Sequence, residues 1–85
     1  MIEFKSVAKK VTAMQLTRPV HCTAAVHELG ADAIVLKHKA KTVGVSLPSQ
    51  NMMAHLGEWI VRHEDGQVES LTDAAFRSRF EGEAA

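Results

Sequence analysis

Eighty-five residues with no net formal charge, 46% hydrophobic and 24% charged, describe one small globular domain. That balance excludes a disordered main body, and apolar runs of only a few residues exclude a helix of the ~20 residues needed to span a bilayer. Residues 1–4 lack the basic start and apolar middle of a secretory signal, and the single Cys22 cannot form an internal disulfide, so a cytoplasmic location is expected.

Along the chain, residues 1–80 are expected to form a single α+β domain, with residues 81–85 as a flexible tail. Residues 11–16 alternate well enough for a strand, which Arg18-Pro19 ends because proline lacks the N–H that a ladder requires. Thr23 is placed to cap a short helix over residues 24–29, with Gly30 as its stop. Residues 33–40 read as a strand with Leu36, His38 and Ala40 opposite Lys37 and Lys39. Residues 42–47 read as the next, with Lys41-Thr42 in the turn between them. Pro48 breaks that strand, Met52-Met53-Ala54 forms an apolar link, and Leu56-Gly57 turns the chain.

The clearest hairpin has residues 58–63 and 67–71 as its arms. Between them Asp65-Gly66 supplies a glycine for the positive φ of such turns. Thr72 or Asp73 then caps a helical segment over residues 74–80, with Phe76 and Phe80 four residues apart on one face. The expected fold is a small antiparallel sheet of four to five strands with one or two short helices. Its core should draw on Leu16, Val26, Leu29, Ile34, Leu36, Val43, Val45, Trp59, Val61, Leu71, Phe76 and Phe80.

Part of this pattern carries a resemblance. The run Gly57-Glu58-Trp59-Ile60-Val61-Arg62, then Gly66-Gln67-Val68, then Asp73, Phe76 and Phe80-Glu81 resembles a family of small uncharacterised tailed-phage and prophage proteins. The opening, Phe4-Lys5-Ser6 through residues 11–17, looks like that family's start, whereas residues 18–46 fall outside the resemblance. Glu58 stands where the family usually has Asp, and residues 68–71 replace a more aromatic strand. The resemblance implies a phage or prophage source and no known chemistry. By analogy it implies an accessory role in binding host or phage proteins, such as an anti-CRISPR-like inhibitor of a host defence complex.

The candidate sites are few. Five histidines and one cysteine are available, but no Cys-x-x-Cys or closely spaced His pair sets up a zinc site, so no metal or cofactor is expected. Cys22 beside His21 is a poor nucleophile–base pair if that stretch is extended, since adjacent side chains on a strand point to opposite faces. A small buried thiol is the simpler reading. Glu64-Asp65 occupies a turn, and no glycine-rich loop is present for a phosphate. An enzyme is therefore not expected.

Charge divides the chain. Residues 1–45 hold seven bases against three acids, and residues 46–85 hold three bases against seven acids. On a straight strand Lys37, Lys39 and Lys41 form a row of ammonium groups about 7 Å apart, able to follow a phosphate backbone or simply to protect an edge. No aromatic residue interleaves with them as a stacking platform. The acids Glu58, Glu64, Asp65, Glu69 and Asp73 offer the mirror surface. The function expected is a non-catalytic protein-binding module directed at a host or phage complex. A nucleic-acid-binding accessory protein using the lysine-rich strand is the alternative. Homodimer pairing through residues 33–40 stays open.

Overall fold

A computed structural model describes residues 2–5, 10–30 and 32–80, and for residues 2–5 and 10 the backbone alone. The expected tail at 81–85 lies outside the described residues. The chain is α+β. In order it forms β1 (Ile2–Lys5), β2 (Lys10–Gln15), α1 (Pro19–Leu29), β3 (Ile34–His38) and β4 (Lys41–Leu47). A single 3-10 turn at Pro48–Gln50 follows, then β5 (Met52–His55), β6 (Trp59–His63), β7 (Val68–Leu71) and α2 (Asp73–Arg79). The strands divide between two antiparallel sheets, one ordered β1-β2-β6-β7 and the other β3-β4-β5.

The pleat of the larger sheet sorts its side chains onto two covered faces. Val11, Ala13, Val61, Phe76 and Phe80 form one buried cluster beneath α2, with Trp59 and Leu71 packed at its margin. Leu16, Ile60 and Val68 point the other way, into a second cluster shared with Cys22 and Ala25 of α1 and Val45, Leu47, Met52 and Ala54 of the smaller sheet. Small residues at Cys22 and Ala25 allow α1 to lie close against β4. Among the described residues the smaller sheet is thus covered on its inner face only.

Several local expectations change. The helix expected over residues 24–29 starts at Pro19, because proline's missing N–H costs nothing at the first helical position. No Ser, Thr, Asp or Asn side chain caps it. Instead His21 Nδ1 accepts from the backbone N–H groups of Thr17 and Arg18, at 3.1 and 3.2 Å. Gly30 ends α1 as expected, its N–H bonded to the Val26 carbonyl. Thr72 caps α2 through Oγ1, which accepts from Ala75 N.

Met52–His55 is a strand rather than a link, pairing with β4. The turn joining β3 to β4 is Lys39-Ala40, not Lys41-Thr42. Ile34, expected in the core, is 51% exposed, because the register places it opposite Ser46 on the outer face of the smaller sheet. Val26, Leu29, Leu36, Val43, Trp59 and Leu71 are only partly buried. Ala25, Met52, Ala54 and Ile60 take the core positions the pattern did not single out.

Candidate functional site

The acidic candidates fall in three places, and most are already engaged. Asp73 Oδ1 accepts from the Trp59 indole Nε1 at 2.9 Å, and both carboxylate oxygens accept from Arg77 Nε. Gln15 Nε2 donates to the same Oδ1. The hydrogen bonds from Trp59 and then Arg77 hold the Asp73 carboxyl below its ordinary value. The Trp59 ring stacks parallel on Phe76 with centroids 3.7 Å apart, so this indole fastens α2 to the larger sheet.

Glu69 does similar work one row further along. Its carboxylate meets His63 Nε2, and Arg79 Nη1 donates to Oε1 at 3.0 Å. Burial pushes the Glu69 carboxyl up, but the hydrogen bonds from His63 and Arg79 and the Arg79 charge outweigh it and leave it lowered. Glu58 Oε1 accepts from His55 N at 2.8 Å. Asp65 Oδ1 accepts from Gln67 N across the hairpin turn, where Gly66 takes φ 91°. Glu64 sits exposed in the same turn. These acids do not share one face.

The basic candidates differ. Lys37 and Lys41 flank the β3–β4 turn and Lys39 stands at its tip, so the three form a knob rather than the straight row expected of one strand. All three are exposed, and among the described residues none is ion-paired with a carboxylate. Meanwhile Arg62, Arg77 and Arg79 pair with Glu28, Asp73 and Glu69. Folding therefore neutralises the bases of the acidic half and leaves the lysines of the hairpin uncompensated. The turn itself carries backbone strain. Lys39 and Ala40 both take positive φ, 51° and 66°, where a two-residue hairpin ordinarily places Asn-Gly. Each L residue held there costs on the order of 1 kcal/mol.

Beside this knob lies the open face of the smaller sheet. Cross-strand pairing aligns Ile34, Ser46 and Met53 in one row and Leu36, Gly44 and His55 in the next. Ile34 and Met53 are 51% and 52% exposed, while the small central residues Ser46 and Gly44 are buried between the flanking side chains. The result is a shallow trough with Ile34, Leu36 and Met53 along its sides and the small residues Ser46 and Gly44 as its floor. Gly44 is required there, because a Cβ at that position would come within 2.1 Å of the Ala54 carbonyl oxygen. The sequence alternation could not show this face, since residues 33–36 are apolar throughout.

The remaining reactive groups are dispersed. His21 caps α1, His63 bonds Glu69, and His27, His38 and His55 are exposed on α1, β3 and β5. Among the described residues no group of three or more His, Cys, Asp or Glu could hold a metal ion. Cys22 lies in α1 rather than in an extended stretch, and is fully buried. Burial pushes its thiol up, away from the reactive thiolate. A second, shallow groove of about 600 Å3 runs along α1 between Met14, Val20, Ala24 and His27. Among the described residues no helix is long and apolar enough to cross a membrane.

Fold and surface together define a small α+β domain of two antiparallel sheets with one sheet face left open. No family model, no curated protein and no solved structure matches the chain.

Proposed function

We propose that this chain is a protein-binding module that acts by covering a partner's surface through the outer face of the β3-β4-β5 sheet. The observation that carries this reading is the Ile34–Ser46–Met53 row, two half-exposed apolar side chains flanking a small buried serine, on the same sheet as three exposed lysines that have no carboxylate partner among the described residues. Apolar residues framed by charge are the usual make-up of a specific protein contact, with the desolvated centre supplying affinity and the rim supplying steering. The resemblance of residues 47–81 to small phage and prophage proteins directs the reading to a host or phage complex, in the manner of an inhibitor of host defence.

The exposed lysines also favour a second reading, in which the hairpin follows a nucleic-acid backbone. It is the weaker of the two. Trp59, Phe76 and Phe80 all belong to the other sheet and its helix, so among the described residues the lysine hairpin has no Trp or Phe beside it for a base to stack on.

The test is affinity capture from host lysate with three forms of the chain. The wild type and a Val20→Ser control on α1 should retain the same partner, and an Ile34→Ser/Met53→Ser double variant should lose it with its thermal midpoint unchanged. Equal retention by all three would remove the outer face from the contact. DNA retained in place of protein, and released by raised salt, would decide for the second reading.

A further inference from the structure

Resting on the protein-binding reading, we infer that β3 receives an extended acidic segment of the partner as a fourth strand of the smaller sheet. The argument begins with strand order. β3 ends the sheet, and among the described residues it pairs only with β4, so alternate backbone N–H and C=O groups of Ile34–His38 face outward. Such an edge is a template for another strand unless charge, proline or a bulge blunts it. Here the protection is one-sided. Lysines gather at the His38–Lys41 end, whereas Ile34, Val35 and Leu36 carry no charge, and Ile34 is half exposed. The β3–β4 irregularity falls between Leu36 and Lys37, leaving Ile34 to Leu36 in regular pairing.

Charge selects the occupant. A strand laid antiparallel on β3 would bring its side chains beside Lys37 and within reach of Lys39 and Lys41, which have no carboxylate partner among the described residues. Alternating apolar and acidic residues meet both halves of this edge. The apolar positions extend the Ile34–Ser46–Met53 row by one more strand, and the carboxylates answer the lysines. A second copy of the chain would offer lysines to the partner where carboxylates fit best, and is the less complementary occupant.

The experiment uses the full isotope-labelled chain and a short synthetic peptide alternating valine and glutamate, with a valine–lysine peptide as its counterpart. The acidic peptide should shift amide resonances of Ile34–His38, and at tenfold its dissociation constant should slow exchange of their outward amides about tenfold. Replacing Lys37, Lys39 and Lys41 by Glu should weaken that peptide about tenfold and favour the basic one instead. Shifts confined to other elements, or no binding by the acidic peptide, would overturn the inference. So would a dimer of the free chain with the β3 amides already protected, or a DNA duplex that competes the peptide off. The two readings fail separately. Loss of captured partner in the Ile34→Ser/Met53→Ser variant with no peptide effect on β3 sinks the edge and leaves the face. Peptide protection of β3 with partner retained by that variant does the reverse.

Discussion

The two sheets of this domain differ in what covers them. In the larger sheet, strands β2, β6 and β7 are roofed on one side by α2 and backed on the other by α1 and the smaller sheet, so both faces of these strands contribute to core. Among the described residues its acids are paired, with Asp73 holding Trp59 and Arg77, and Glu69 holding His63 and Arg79. The β3-β4-β5 sheet is covered once. Its outer face shows Ile34 and Met53 to solvent, and its edge ends in a strained turn whose lysine has no carboxylate partner among the described residues. A chain this small buries only about 60–65% of its unfolded surface, so leaving a whole sheet face open is a substantial sacrifice of stability. That sacrifice is explained if the open sheet is the working surface and the closed sheet is the support.

Substitutions on the closed sheet should therefore cost stability, and those of the exposed Ile34 and Met53 side chains should cost contact alone; Gly44, whose backbone is pressed against β5, is the exception on the open face. The largest effect is expected for Phe76→Ala, which removes a buried ring and the stacking partner of Trp59. It should lower unfolding free energy by about 3–5 kcal/mol in chemical denaturation, enough to threaten folding altogether. Next comes Gly44→Ala, where the new methyl group meets the Ala54 carbonyl oxygen and β5 must move. The loss should be about 1–3 kcal/mol, with resonance changes concentrated in β4 and β5.

Glu69→Gln tests the fastening of α2 and carries a pH signature. The Glu69 carboxyl is lowered in the folded chain, so its stabilisation is complete above the ordinary carboxylate pKa of about 4.3. It is lost as pH falls through the lowered value. Because Glu69 is part-exposed, the cost at neutral pH should stay below about 1 kcal/mol. The difference between variant and wild type should then vanish in acid, as seen in denaturation midpoints measured across pH. A cost unchanged down to pH 2 would remove the ion-pair explanation. Ala40→Gly should stabilise the chain by about 0.5 kcal/mol, since it relieves the positive φ at the hairpin tip and the glycine entropy cost offsets part of the gain. Smallest of all, Ile34→Ser should change stability by no more than about 0.5 kcal/mol despite its apolar character.

The closed sheet was the more legible of the two in the sequence. Asp65-Gly66 marks its hairpin and Thr72 its helix cap, and Phe76 and Phe80 are spaced for one helical face; all three appear as expected. The open sheet was harder to read for physical reasons. Lys39-Ala40 carries no glycine or asparagine to announce a left-handed turn, so the three lysines looked like a row instead of a knob. Residues 33–36 are apolar without alternation, and only pairing register decides that Val35 faces inward and Ile34 outward. The early start of α1 was hidden because no Ser, Thr, Asp or Asn stands at its N-cap, and His21 at the third helical position accepts from the Arg18 N–H, a role usually filled by Glu or Gln. The lysines were singled out from charge and strand spacing, whereas the trough on the same sheet depends on cross-strand neighbours that no local pattern shows.

The division of labour between the sheets is tested most directly by hydrogen exchange on the chain bound to its captured partner and on the free chain. Slowed exchange at β3, the turn at 39–40 and β5, with β2, β6 and α2 unchanged, is the expected outcome. Slowed exchange on α2 or at the Asp65-Gly66 turn, with β3 and β5 exchanging as in the free chain, would contradict it.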